Sequence, residues 1–528
     1  MTLHGRNFIG SELSSEGERT FKTINPATGE PVGPAFHEAT QGEIEKALEL
    51  AEQAFAVFSQ KLPLEVAAFL DAIADELLKL GDELLQLAQT ETALPHPRLL
   101  GERARTVGQI KMFGDLVREG SWVEASIDRA LPDRKPLPKP DVRRRLIPIG
   151  PVVIFGASNF PLAFSVPGGD TASALAAGNS VVFKAHPAHP GTSELVAGAI
   201  RAAVKTSGMP DGVFSLVHGV SHESGLELVR HRATKAVAFT GSLPGGRALF
   251  NEAARRTEPI PVYAEMGSTN PVFVLPGALR ENGNALAEGL MQSVTVGVGQ
   301  FCTNPGLVFG LNEPAWKGFV EKTAQLASSA APGTMLYQGI CERFQQGAQE
   351  VRGIAGVRMA GQSETALKPG QAPAIVFTTD SQTFLKEQHL REELFGPSTV
   401  LVDCASAAEM ERIARELPGQ LTATIHGTEE DLWQHQGLVS ILQQKAGRLL
   451  FNGFPTGLEV CPSMHHGGPY PATTHSHFTS VGSAAIKRFV RPICFQNFPD
   501  SALPPELQNK NPRKIWRLVD GKWTQEPL

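Results

Sequence analysis

Pro151-Val152-Val153-Ile154-Phe155-Gly156-Ala157-Ser158-Asn159-Phe160-Pro161 decides the architecture of this chain. Four apolar residues run without alternation into a glycine turn, as a strand buried on both faces does. The signature recurs at 180–183, 213–217, 236–239 and 263–265. Between these runs, helical periodicity is expected near 170–177, 191–207, 222–231 and 245–256. Short strands alternating with helices predict a parallel sheet with crossover helices. Ligands of such sheets bind beyond the carboxyl ends of the strands. Asn159, Lys184, Gly241-Ser242 and Glu265 all follow strand ends.

Upstream, residues 40–118 read as helical. Leu48, Ala51, Phe55 and Phe58 form one apolar stripe; Phe69, Ile73, Leu77 and Leu80 form another. Downstream, a second alternating region runs from Pro271 to about Leu450 and carries Cys302 and Glu393. Residues 479–495 read as a strand bearing Phe489, Val490 and Ile493. Around 128–148 lies a Pro- and Arg-rich segment with Arg143-Arg144-Arg145, expected to be a solvated turn or edge strand rather than an anion patch. The polar, Pro-rich tail after Pro499 is expected on the surface.

The length allows two or three domains around a large core. A net charge of −6 and a pI near 6.2 imply no basic surface for nucleic acid. The five cysteines are scattered and odd in number, without a CxxC pair, which predicts reduced thiols in a cytoplasmic setting and no zinc site. No secretory signal is visible at the N-terminus. The longest apolar stretch, 146–164, is broken by Pro148, Gly150, Pro151 and Asn159, so it reads as a buried strand and turn rather than a membrane span. His465, His466, His475 and His477 cluster within 461–478 without helical spacing or a neighbouring acid, which argues for a loop near a substrate mouth rather than a metal centre.

The chemistry centres on Gly299-Gln300-Phe301-Cys302-Thr303-Asn304. An arbitrary cysteine is most often a small buried hydrophobe. Cys302 differs, because Gly297, Gly299 and Gly306 permit a tight backbone and polar residues flank it. Glu265 ends an apolar strand, where a surface carboxylate rarely falls, and burial is expected to raise its pKa. Asn159 sits on a turn that could be an ordinary asparagine turn. A thiol, a carboxylate and a carboxamide are the groups needed to oxidise an aldehyde through a thioester: one attacks, one activates water, one holds the oxyanion. That scheme requires no histidine.

These segments resemble the aldehyde dehydrogenase superfamily, from about Ile24 to about Phe495. Asn25-Pro26-Ala27-Thr28-Gly29-Glu30, Val181-Val182-Phe183-Lys184, Phe239-Thr240-Gly241-Ser242 and Glu392-Glu393-Leu394-Phe395-Gly396-Pro397 follow in the family's order. Three segments are similar to the α-ketoglutaric semialdehyde (2,5-dioxovalerate) dehydrogenase branch. They are the turn at Gly156–Pro161, Gly267-Ser268-Thr269-Asn270-Pro271, and Gly299-Gln300-Phe301-Cys302-Thr303-Asn304-Pro305.

The resemblance implies an α/β fold: a Rossmann-like cofactor domain (1–121 and 149–265), an α/β catalytic domain (266–470), and a small β oligomerisation element with the C-terminal tail (122–148 and 471–528). It implies Cys302 as nucleophile, Glu265 as general base and Asn159 as oxyanion donor. Lys184, Phe239, Gly241, Ser242, Glu393 and Phe395 would hold NADP or NAD. NAD-preferring relatives often carry a glutamate three residues after the lysine; Pro187 stands there, which favours NADP, with Lys184 and His186 available to a 2′-phosphate. On the helix expected at 99–119, Arg105 would face the substrate tunnel with Gln109 one turn on, against the alternative of a solvated helix arginine. Phe160, Phe164 and Phe454 would be apolar walls. The expected reaction is NAD(P)-dependent oxidation of an aldehyde, 2,5-dioxopentanoate first, to its carboxylate without CoA acylation. A broad or fatty aldehyde dehydrogenase and an inactive structural homologue are the alternatives. The partners implied are a small aldehyde and further copies of the chain, as homodimer or homotetramer, with no nucleic acid, membrane or metal.

Overall fold

The computed structural model describes residues 3–528. Its first sheet has seven strands in the order Val262–Glu265, Ala236–Thr240, Val152–Phe155, Val181–Lys184, Phe214–Val217, Asn7–Ile9 and Glu12–Ser14. The first five are mutually parallel, and Asn7–Ile9 adds antiparallel to Phe214–Val217. The absence of alternation has a plain cause. Val152 and Ile154 enter one apolar cluster, whereas Val153 and Phe155 enter another on the opposite face. Crossover helices Gly169–Ala176, Pro190–Thr206, His222–Arg230 and Leu243–Arg255 fall where the periodicity placed them. Four further helices, Gln41–Phe58, Pro63–Lys79, Gly81–Thr92 and His96–Glu119, fill the N-terminal region. Thr40 caps the first of them, its hydroxyl accepting from the Glu43 N–H while the Glu43 carboxylate accepts from the Thr40 N–H.

A second seven-stranded sheet runs Arg358–Gln362, Ile375–Asp380, Ser398–Cys404, Leu307–Leu311, Val272–Val274, Gln420–His426, Ala446–Phe451. It is parallel except for its first strand.

The third sheet departs from expectation. Its order is Val490–Gln496, Val142–Pro148, Ser126–Asp128, Arg517–Val519, Lys522–Thr524. The arginine-rich strand is therefore interior, not an edge. Arg143 is buried, with its guanidinium on Asp141 and on the carbonyl of Leu507. Arg145 pairs with Glu506 of the tail, and Arg144 faces solvent. The tail after Pro499 is correspondingly not a surface appendage. Leu503, Leu507, Ile515 and Val519 build a small core with Val123, Ala125 and Ile127. Val490–Gln496 pairs antiparallel to Val142–Pro148. Phe489 lies outside that strand, in the preceding turn Ser483–Phe489, and is fully buried. Among the described residues no helix is long and apolar enough to cross a membrane.

Candidate active site

Cys302 stands on a loop held under strain. Gly297, Val298 and Gly299 take consecutive positive φ values of 58°, 58° and 65°. A β-branched residue adopts that conformation only at a cost, and such strain collects at functional loops. Gly299 is required by a close approach: a Cβ there would sit 2.2 Å from the Gly396 carbonyl oxygen. The loop is thereby pressed against the segment carrying Glu393 and Phe395. Asn270, in the left-handed region itself, donates from Nδ2 to the carbonyls of Cys302 (2.8 Å) and Asn304 (2.9 Å). Sequence reasoning assigns Asn270 no role of its own, although it stands in Gly267-Ser268-Thr269-Asn270-Pro271.

Glu265 ends its strand buried beside the thiol loop. The strand end is clamped by residues 472–474: the Met266 N–H donates to the Ala472 carbonyl and the Thr474 N–H to that of Ala264. The loop before that segment brings in His466, fully buried beside the thiol. His466 Nε2 lies 3.0 Å from Glu265 Oε1 and 3.5 Å from Cys302 Sγ. The contact to Oε1 has ion-pair length, but its alignment falls short of a good hydrogen bond, and that oxygen has no other partner. Ser480 donates to the other oxygen, Oε2, at 2.6 Å. The expected upward shift of Glu265 is therefore wrong in net direction. Burial does push its carboxyl up, but His466, Ser480 and Arg488 outweigh it and hold the group below its ordinary value. Cys302 moves the other way: burial, then the Glu265 and Glu393 carboxylates, push the thiol well up against the opposing pull of Arg105 and Arg448. Ligand atoms of Glu265, Cys302 and His466 all lie within 4.8 Å of one another, so the acid missing from the histidine cluster in sequence is supplied in space.

Asn159 is buried, and its Nδ2 donates to the Gln300 carbonyl at 3.0 Å, which sets the carboxamide against the nucleophile loop. Its turn is fixed from the helix His96–Glu119. Glu102 Oε1 accepts from the N–H groups of Leu162 (2.8 Å) and Ala163 (2.9 Å), and Arg98 donates to the Asn159 carbonyl (2.7 Å). On that helix Arg105 is not solvated. Its guanidinium lies 5.3 Å from the Phe164 ring centre and 6.0 Å from that of Phe160, and its Nε and Nη2 are buried without a partner. Phe160 packs edge-on against both Phe164 and Phe301, adjacent to Cys302. Gln109 is buried one turn on, its Nε2 unpartnered and close against Gly169. Phe454, half-buried, packs its ring on His426 and Gly289 against the core of the second sheet.

Across the strand ends lies a crevice suited to a dinucleotide. Gly241 follows Ala236–Thr240, and Ser242 caps Leu243–Arg255, whose first residues Leu243 and Pro244 face solvent. An open helix N-terminus of this kind favours pyrophosphate. Phe239 packs under the turn: a Cβ on Gly241 would lie 2.6 Å from its ring. The Lys184 ammonium bonds only to carbonyls, that of Gly219 at 2.6 Å and that of Ala185 at 3.4 Å, and burial lowers it to about 8 against the pull of Glu38. Glu393 is open to solvent along one side yet crowded by protein, which raises its carboxyl to about 8. A Cβ on Gly267 would stand 2.6 Å from Glu393 Oε2, so that glycine makes room for the carboxylate. Phe395 is half-buried beside it. These groups fit pyrophosphate, ribose and nicotinamide in turn. His186 is not the cation expected there: burial, then His189, Lys184 and Arg343, hold it well below its ordinary value.

A thiol, a carboxylate and a carboxamide beside a dinucleotide crevice define the class, an NAD(P)-dependent oxidoreductase that acts on aldehydes. Residues 13–469 match the Aldehyde dehydrogenase family. The chain is 50% identical over 523 residues to alpha-ketoglutaric semialdehyde dehydrogenase 2 of Azospirillum brasilense, covering 99% of this chain and 100% of that one. It is 45% identical over 523 residues to alpha-ketoglutaric semialdehyde dehydrogenase of Acinetobacter baylyi, covering 99% of each. Its fold is that of the aldehyde dehydrogenase of Bacillus cereus, solved as an NAD+ complex (TM-score 0.80, 24% identity, 94% of this chain and 96% of that chain). It is likewise that of the NADP-dependent glyceraldehyde-3-phosphate dehydrogenase of Bacillus halodurans, solved with NADP (TM-score 0.79, 19% identity, 94% and 99%). The chain belongs to the aldehyde dehydrogenase family.

Proposed function

We propose that this enzyme oxidises 2,5-dioxopentanoate to 2-oxoglutarate. The observation that carries the substrate is Arg105, a buried guanidinium with two unpartnered nitrogens among the aromatic rings beside the thiol. A buried cation without a partner is costly, and a carboxylate at the far end of a short aldehyde satisfies it bidentately. The high identity to two α-ketoglutaric semialdehyde dehydrogenases supports the same substrate.

The Cys302 thiol gives its proton to solvent water, and Sγ forms a bond to the aldehyde carbon. The new oxyanion is received by Asn159 Nδ2 and the Cys302 N–H, the former turning from the Gln300 carbonyl. Glu393, Phe395 and Lys184 would hold a nicotinamide dinucleotide, which would supply the two-electron acceptor; Cys302 is then left carrying a thioester. Glu265 then takes a proton from water, hydroxide adds to the thioester, and the C–S bond breaks to release the acid. A carboxylate held below its ordinary value is ionised and ready to accept that proton. His466 donates from Nε2 to either anion as each develops.

The cofactor is NADP by this reading, because Pro187 stands where a glutamate three residues after Lys184 would repel a 2′-phosphate, and the Lys184 ammonium answers the nearby Glu38 carboxylate. Residues 1–121 and 149–265 serve it, 266–470 bring the nucleophile, and 122–148 with 471–528 carry the subunit contacts of a dimer or tetramer. The open edge Val490–Gln496 and exposed Phe498 support that assembly. Five free thiols support a cytoplasmic setting. Following reduced-cofactor absorbance with 2,5-dioxopentanoate, hexanal and a long alkyl aldehyde, with NADP and NAD in turn, tests both assignments. A preference for the long alkyl aldehyde rejects the substrate.

A further inference from the structure

We propose that Cys302, His466 and Glu265 form a binding site for a thiophilic divalent cation, Zn2+ by its chemistry, which holds the nucleophile in a reversible inactive state. The consequence rests on the reading of Cys302 as nucleophile; the binding itself does not.

The ligand set is one thiol, one imidazole and one carboxylate, the donors that Zn2+ accepts. Their spacing already approaches a coordination sphere. Zn–N near 2.0 Å and Zn–S near 2.3 Å at tetrahedral angles place nitrogen and sulfur about 3.6 Å apart, and nitrogen and oxygen about 3.4 Å apart. Nε2 stands 3.5 Å from Sγ and 3.0 Å from Oε1, and all three ligand atoms fall within 4.8 Å. Small rotations of side chains admit an ion without moving a strand. A second observation points at a ligand: Glu265 is buried, and its Oε1, aimed into the cluster, has no hydrogen-bond partner. Sγ is the atom that must reach the aldehyde carbon, so cation and aldehyde compete for it.

Binding exchanges the thiol proton for the metal: one proton leaves Sγ, a Zn–S bond forms, and no electrons move. The Zn2+ charge is balanced by the thiolate and the Glu265 carboxylate. Two features keep the site weaker than a structural zinc site. Coordination through Nε2 leaves the proton on Nδ1, which is buried without an acceptor, whereas metal-binding histidines ordinarily hydrogen-bond that nitrogen. Arg105 and Arg448 also lie within electrostatic reach of the thiol. A reversible, chelator-sensitive site follows, rather than a resident cofactor.

The test titrates Co2+ into the full-length protein without aldehyde, followed by Zn2+ displacement. The expected result is a sulfur-to-Co2+ charge-transfer band with the visible bands of tetrahedral Co2+, both removed by Zn2+. Cys302→Ser abolishes the charge-transfer band. His466→Gln and Glu265→Gln each weaken binding by at least about tenfold. In the wild type, Zn2+ blocks alkylation of Cys302 and inhibits aldehyde oxidation, EDTA restores both, and Mg2+ does neither. Thermal unfolding checks that each variant is folded, and either glutamine variant alone suffices if the other is not. Unchanged Co2+ binding in a folded glutamine variant overturns the site, as does Zn2+ protection of Cys302 that persists equally there. The spectra need no substrate, so an error in the proposed aldehyde leaves this result untouched.

Discussion

His466 Nε2 lies 3.0 Å from Glu265 Oε1, and the same nitrogen reaches the Cys302 sulfur at 3.5 Å. One ring atom thus touches both groups that must carry negative charge during turnover. The other ring nitrogen, Nδ1, is buried without a partner. A buried donor with no acceptor costs more than a bare lone pair, so the network assigns the proton to Nε2. His466 is then placed to donate to the Cys302 thiolate, with the Glu265 carboxylate beside it.

Replacing His466 with Phe removes that donor from the thiolate. A charge-assisted bond of about 1.5 kcal/mol corresponds to about a tenfold change. Alkylation of Cys302 by iodoacetamide and kcat/KM should both fall at least about tenfold in His466→Phe. In His466→Gln, whose Nε2 also donates, the loss should stay within about threefold. Equal alkylation rates in wild type and His466→Phe would show that the contact has no chemical role.

Cys302→Ala should abolish oxidation, since Cys302 supplies the thiol that stands beside Glu265 and His466. Glu265→Gln should spare the first half of the reaction and slow hydrolysis of the thioester. Rapid mixing should then show a burst of reduced cofactor, close to one per active site, ahead of slow turnover. A linear trace at the same low rate would mean that Glu265 acts before hydride transfer instead.

The parallel sheet was legible because its strands, buried on both faces, read as unbroken apolar runs such as Val152–Phe155. Cys302, Glu265 and Asn159 were singled out by motif resemblance, and the structure brings the first two together with Asn159 bonded to the nucleophile loop. His466 was not. Its contact with Cys302 spans 164 residues, and the Ser480 contact with Glu265 spans 215, distances at which local spacing carries no signal. Arg143 and the tail fail for a different reason. Charge and proline signal exposure only when nothing pairs with them, and here Asp141, Leu507 and Glu506 do so for the arginine strand.

Lys184 ties cofactor affinity to pH. Burial lowers its ammonium to about 8, with Glu38 opposing. The positive charge is therefore present below that value and lost above it, and phosphate or ribose contacts weaken as pH rises through about 8. Bound phosphate favours the charged form and moves the step upward in the complex. The Kd for NADP should rise about tenfold or more between about pH 7 and about pH 9.5, for a charge-assisted bond of this kind. Lys184→Met should bind more weakly at neutral pH and show little of the step. The same pH dependence in both proteins would place the titrating group elsewhere.

Arg105 sets selectivity by this account, and its effect is separable from catalysis. Its Nε and Nη2 are buried and without a hydrogen-bond partner, between the rings of Phe160 and Phe164. A substrate carboxylate that fills this position gains a bidentate, charge-assisted pair worth roughly 1.5–3 kcal/mol. The bond lies away from the reacting carbon, so it should act on ground state and transition state alike. Arg105→Ala should therefore raise KM for 2,5-dioxopentanoate by about one to two decades, with kcat little changed. For hexanal, which has no charge to lose, KM should hold or fall, since a desolvated cation has been removed from the tunnel. Arg105→Lys should recover only part of the affinity, because an ammonium keeps the charge but not the planar fork. Parallel losses of kcat/KM on both aldehydes in Arg105→Ala would mean that the guanidinium supports the aromatic wall rather than reading the substrate.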